Sequence, residues 1–173
     1  RLTGHERSVS IAAVTGARSV VLSGDAAVLT PMLERLSAAG VRVQRLRVSH
    51  AFHSPQMDAM LAPFRKVLEG VRLGAAKLPL VCNLTGKVVT TELTSPEAWL
   101  RHVREPVRFA EALETLRSLG HRVLVEVGPR PTLLGMVDAL LLTHADTYAT
   151  IILLALPLGL IEALGTASLD AIP

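Results

Sequence analysis

Two β-branched runs, Ser8 to Val14 and Ser19 to Ser23, open the chain on either side of Thr15-Gly16-Ala17-Arg18. The spacer is a four-residue turn with a glycine available for a positive backbone angle, so the pattern predicts two strands. From Asp25 to Ala39 the apolar residues Leu29, Met32, Leu33 and Leu36 recur every three or four positions, which predicts an amphipathic helix stopped by Gly40. Pro31 leaves its start open: either Thr30 is the N-cap of a regular helix, or a longer helix kinks. Val41 to Val48 alternates apolar and polar residues and predicts a half-buried third strand. Strand, strand, helix, strand is the order of the second part of a split ferredoxin-like unit.

Beyond Ser49 the period is helical. Met57, Met60, Leu61, Phe64, Val67 and Leu68 fall on one face of Pro55 to Glu69, with Ser54 as N-cap, Pro55 first and a bend expected at Pro63. A strand follows at Leu78 to Asn83, then helices near Ser95 to Val103 and Val107 to Leu119, the second stopped by Gly120. Arg122 to Val127 is a strand, Gly128-Pro129-Arg130-Pro131-Thr132 breaks it, and Leu133 to Leu142 is a helix. This alternation predicts an α/β fold with a largely parallel sheet. Tyr148 to Ile161 is almost wholly apolar, but Pro157 breaks it and Glu162 ends it, short of the roughly 20 residues a bilayer span needs. A buried strand and a short helix are expected there, not a membrane segment.

Composition narrows the functional classes. Half of the residues are apolar and 19% charged, which is the balance of a folded protein. Aromatics make up only 3%, too few for base-stacking platforms, and the net charge of +3 is spread without a polybasic block, so nucleic acid is not the expected partner. The single cysteine, Cys82, lies in an apolar run and predicts a buried, inert thiol in a reducing, cytoplasmic setting. The first residues show no initiator methionine and no signal sequence, so the chain is expected to come from the middle of a longer protein.

The chemistry concentrates in Val48-Ser49-His50-Ala51-Phe52-His53-Ser54-Pro55, where a histidine sits between a predicted strand and a helix N-terminus. The helix dipole disfavours a positive imidazole there, leaving His53 neutral and available as a base. Taken alone, a histidine at such a place is as compatible with a structural or solvated role.

The wider pattern resembles the acyltransferase domains of modular polyketide synthases. Ser8 to Val14 and Ser19 to Asp25 look like that family's small-subdomain strands. Leu46 to Pro55 looks like the segment with its catalytic histidine and its HAFH signature. Arg104-Glu105-Pro106-Val107-Arg108-Phe109 and Val125 to Pro129 resemble two further landmarks. The resemblance covers about residues 8 to 145 and implies the C-terminal half of an acyltransferase fold. It divides the chain into a partial ferredoxin-like small subdomain over 1–48, the C-terminal part of an α/β-hydrolase-like large subdomain over 49–145, and a terminal strand and linker over 146–173.

What the resemblance implies for function is transfer of a malonyl unit from malonyl-CoA to the phosphopantetheine thiol of an acyl carrier protein through a serine acyl-enzyme. His53 matches the general base. His50, Ala51 and Phe52 match positions lining the acyl pocket, where this signature implies malonyl rather than a branched unit. The carbonyl that orients the base falls at His102, where the family usually has an amide residue. A neighbouring ketosynthase in the parent chain is implied as a further partner; no tightly bound cofactor, no metal and no membrane are implied. None of the serines has glycine two residues away on both sides, so the nucleophile elbow is missing and the chain is expected to be inactive alone. Thr15 in place of the usual asparagine, and the apolar tail after Tyr148, depart from the pattern; the tail reflects divergence or a shifted reading frame. The alternative is a non-catalytic segment that docks carrier protein or ketosynthase. A free-standing ferredoxin-like module for RNA or metal is disfavoured by the few aromatics and the lone cysteine.

Overall fold

Strand pairing begins as the β-branched runs require. In the computed structural model, which describes residues 2–128, 132–141 and 149–154, β1 (Val9–Gly16) and β2 (Ser19–Gly24) form an antiparallel hairpin around Ala17 and Arg18, a tighter turn than the four residues expected. Val9 and Ala12 of β1 are buried. The chain divides into two compact units, 1–119 and 120–173, whereas the subdomain boundaries expected from the sequence lie at 48 and 145.

Helix α1 (Ala26–Ala38) follows, capped by Asp25, whose Oδ1 accepts from the Ala27 N–H at 2.8 Å. The cap settles the ambiguity at Pro31: the helix starts a turn before Thr30 and runs through the proline, which merely withholds one N–H from the ladder. The third strand expected at Val41 to Val48 is absent. A strand is stabilised by a neighbouring ladder, and no described strand pairs with this segment. Its apolar positions Val41, Leu46 and Val48 stand exposed, Val48 at 71%. The ferredoxin-like order is therefore realised only as strand, strand, helix.

Ser54 caps a single 3₁₀ turn (Pro55–Met57) that leads into α2 (Asp58–Glu69), which is not interrupted at Pro63. β3 (Leu80–Cys82) and β4 (Lys87–Val89) pair antiparallel; β4 was not anticipated. The connection between them is short enough only for a hairpin, and Gly86, at φ 68°, makes the reversal. A Cβ at Gly86 would lie 2.5 Å from the Glu111 Cβ, so the turn also lets the next helix approach. Cys82, Leu84 and Val89 form a buried cluster with Leu93 packed against it, which places the cysteine in the core as expected. α3 (Pro96–Arg104) starts on the Ser95 cap, and α4 (Phe109–Ser118) ends before Gly120, which takes φ 85°. Val107 lies against β1: its N–H donates to the Ala12 carbonyl at 2.8 Å and its carbonyl accepts from the Val14 N–H at 2.9 Å.

In the second unit β5 (Val123–Gly128) and β6 (Ala149–Leu154) are parallel neighbours, and α5 (Leu134–Leu141) lies between them in sequence. The apolar run after Tyr148 thus begins as a strand; the helix expected after it lies outside the described residues. The Glu126 carboxylate accepts from the backbone N–H groups of Thr132, Leu133 and Leu134, satisfying the amides at the start of α5. The bond from Thr132, first among these contacts, holds the Glu126 carboxyl below its usual range. Of the three sheets among the described residues, each two-stranded, only β5–β6 is parallel, so the largely parallel sheet expected from the element order is not what these strands form. No helix among the described residues is long and apolar enough to cross a membrane.

Candidate active site

His53 is the one non-glycine residue among the described ones with positive φ, at 62°. That left-handed conformation is sparsely populated and costs on the order of 1–3 kcal/mol, so surrounding contacts must impose it. Two do. The His53 N–H donates to the Val103 carbonyl at 3.0 Å, and the imidazole Nδ1 lies 2.8 Å from the Glu105 carbonyl. A carbonyl only accepts, so Nδ1 carries the proton and Nε2 keeps its lone pair.

The carbonyl is supplied by Glu105 and not by His102, which corrects the expectation from the sequence. Pro106 explains the shift. The residue before a proline avoids the helical region, so α3 ends at Arg104 and Glu105 turns extended, at φ −86° and ψ 159°. Its carbonyl leaves the helix axis, whereas His102 remains inside the last turn. The His102 ring is half-buried, its centroid 6.4 Å from that of Trp99. Glu105 is gripped in turn by Arg101, whose Nε and Nη2 donate to its two carboxylate oxygens at 2.6 and 3.0 Å.

Burial, the largest influence, pushes the His53 imidazole below its ordinary value; the Glu105 carbonyl works in the opposite direction and the nearby His102 adds to the lowering. The neutral ring expected from the helix dipole is therefore favoured chiefly by desolvation.

The other signature residues sit beside His53. Phe52 is 49% exposed, with ring centroids 6.1 Å from His50 in an edge-on arrangement and 6.4 Å from His53. His50 is exposed, its Nδ1 2.9 Å from the Ser49 hydroxyl, and Ala51 is half-buried. Ser54 is fully buried; its hydroxyl donates to the Ala51 carbonyl at 2.6 Å and accepts from the Gln56 N–H at 3.3 Å. Replacing Ser54 by alanine is expected to destabilise the fold by about 1–2 kcal/mol, through the lost cap and the Ala51 carbonyl left without its donor. A denaturant midpoint unchanged by the substitution would show that the loop is held by other contacts.

The description "Acyl transferase domain" belongs to a family model that matches residues 1–152. The chain belongs to that family. It is 41% identical over 179 aligned residues to the polyketide synthase GfsA of Streptomyces halstedii, with 99% of this chain and 2% of that protein covered. The acyltransferase domain from the second module of the salinomycin polyketide synthase superposes with a TM-score of 0.81 at 42% identity, over 88% of this chain and 35% of that one. A malonyl-transacylase, solved in complex with its type II polyketide synthase acyl-carrier protein, superposes with a TM-score of 0.75 at 26% identity over 92% of this chain and 50% of its own. The chain thus spans half or less of the length of these relatives, and its mixed α/β architecture is a partial acyltransferase fold.

Proposed function

We propose that this segment supplies the base to an acyltransferase that moves a malonyl unit from malonyl-CoA to the phosphopantetheine thiol of an acyl carrier protein. The observation that carries the reading is the 2.8 Å contact between His53 Nδ1 and the Glu105 carbonyl, which fixes the ring and leaves Nε2 as the proton acceptor. A serine hydroxyl presented to Nε2 from the rest of the domain gives up its proton as its oxygen attacks the thioester carbon. The C–S bond breaks, and the departing CoA thiolate takes the proton from the imidazolium. In the second half-reaction Nε2 accepts the proton of the pantetheine thiol while sulfur attacks the acyl-serine. The proton then returns to the serine oxygen as that bond breaks, so the base is regenerated each cycle.

The 173 residues contain no G-x-S-x-G elbow, so the nucleophile belongs outside this segment and the chain by itself is inactive. Carrier protein as the acceptor is supported by the related malonyl-transacylase solved with one. A ketosynthase in the same parent chain is the further partner, and the single buried Cys82 fits a reducing, cytoplasmic setting. No step calls for a tightly bound cofactor.

Malonyl preference is placed on Phe52 with His50 and Ala51, because an aromatic ring 6.4 Å from the base occupies space that an α-methyl group would need. In a competition assay with malonyl- and methylmalonyl-CoA, replacing Phe52 by alanine is expected to relax the preference. The shape of one methyl group is worth about 1–3 kcal/mol, or roughly 10- to 200-fold, so relaxation rather than reversal is the expected result. A native enzyme that prefers methylmalonyl-CoA would overturn the malonyl assignment, and an unchanged preference in the variant would remove Phe52 from it.

A further inference from the structure

Three ties cross the seam between the segment that carries His53 and the end of α3. Two belong to the site above: the His53 N–H to the Val103 carbonyl, and Nδ1 to the Glu105 carbonyl. Side chains make the third. Arg104 Nε donates to Asp58 Oδ1 at 2.7 Å, while its Nη1 reaches the Ser10 hydroxyl on β1 at 3.4 Å. Arg104 is the last residue of α3 and directly precedes Glu105. Asp58 is the first residue of α2, one 3₁₀ turn beyond Ser54. The planar guanidinium therefore references the end of α3 to the start of α2 and to β1 at once.

The seam is open to solvent, and at its other end Arg65 of α2 pairs with Glu97 at the start of α3, away from His53. A solvent groove of about 540 Å³ runs along it, lined by Asp58, Leu61, Leu100, Arg101, Arg104 and Glu105 among others. The Arg101–Glu105 pair holds Glu105 only to its own helix and cannot set a distance across the groove. We propose that Arg104 and Asp58 are a positioning pair for His53, holding α3 and α2 in the register at which the Glu105 carbonyl meets Nδ1. This rests on reading His53 as the base. Neither side chain is assigned to the reacting atoms.

The test is nitrogen NMR of the His53 ring, with steady-state kinetics, in an acyltransferase that contains this chain. Arg104→Met and Asp58→Ala are each expected to turn a single Nδ1–H tautomer into a mixture, and to lower kcat about 10- to 100-fold with KM unchanged, as a displaced base does. Arg104→Lys, which keeps a cation opposite Asp58, is expected to recover part of both. The charged and titratable groups around the seam are Glu97, Arg101, His102, Arg104 and Glu105 from α3 and its end, and Asp58 and Arg65 from α2. Removing Arg104 and removing Asp58 change the charge near His53 in opposite senses, so a purely electrostatic effect would move its titration in opposite directions and leave the tautomer intact. That result overturns the proposal, as does a single Nδ1–H tautomer kept in both variants or a change confined to one. If Arg104→Met fails to fold, Asp58→Ala, at a side chain 57% exposed, keeps the question open to measurement. A His53→Ala variant with native activity would instead overturn the reading of the base and leave the NMR result standing.

Discussion

Replacing His53 by alanine in an acyltransferase domain that contains this segment is expected to lower acyl transfer by roughly 10²- to 10⁴-fold, the loss typical of removing a positioned base. The loss should fall on kcat, because in the proposed mechanism Nε2 takes a proton in the transition state and the ring does not hold the bulk of CoA. Unfolding is not the expected cause: the imidazole is only partly buried and makes one side-chain hydrogen bond. Glycine in place of His53 serves as a control, since it adopts the φ of 62° without strain and still lacks the base. Both variants should be inactive to a similar degree. His50→Ala should cost far less, because that ring is exposed and bonded only to the neighbouring Ser49. If His53→Ala kept the native rate while His50→Ala abolished it, the base would have been assigned to the wrong histidine.

Total loss is expected in a second experiment. Incubated alone with radiolabelled malonyl-CoA, the chain should take up no covalent label. Forming an acyl-enzyme needs a nucleophile beside the base, and none of its serines sits in a glycine-flanked elbow. Ser54, the serine next to His53, is fully buried, and its hydroxyl is committed to the Ala51 carbonyl, so it has no path to a thioester. Stable label on any serine of the chain, mapped by peptide analysis, would contradict this.

Much of the local structure could be read from residue patterns because the forces behind it are local. Asp25, Ser54 and Ser95 each accept from a backbone N–H at the start of a helical segment. Of these Ser54 is legible as a cap from the sequence; at α1 Pro31 makes Thr30 an equally plausible cap, and the fold uses Asp25. The hairpin, α2, α3 and α4 lie close to where periodicity put them, since a one-face apolar pattern needs only one surface to cover it. Val41 to Val48 shows the limit. Alternation describes how a strand's side chains would be sorted between two faces, but strand formation depends on a ladder partner that a local pattern does not contain. β4 was missed for the converse reason, because three residues carry too short a pattern and its pairing is set by the turn at Gly86.

At the site, the ordered string of matches singled out His53 and its neighbours, which the structure brings together, but not Glu105. The family resemblance points to His102, whereas the local rule that a residue before proline leaves the helix points to Glu105. That signal was present in Glu105-Pro106 and would have found the acceptor. The Arg104–Asp58 tie had no such signal: its partners lie 46 positions apart, and only the fold brings them together.

The central claim is that His53 acts as a neutral base, and the pH dependence of kcat/KM for malonyl transfer to carrier protein tests it most directly. Burial lowers the His53 pKa from 6.5, so the base is in its active, neutral form above the lowered value and is lost only as pH falls through it. The rate is therefore expected to hold across neutral pH and to fall on acidification at an inflection below 6.5. In His53→Ala the small remaining rate should show no such inflection. The same acidic inflection in the native enzyme and in His53→Ala would contradict the account, since the titrating base would then be another group.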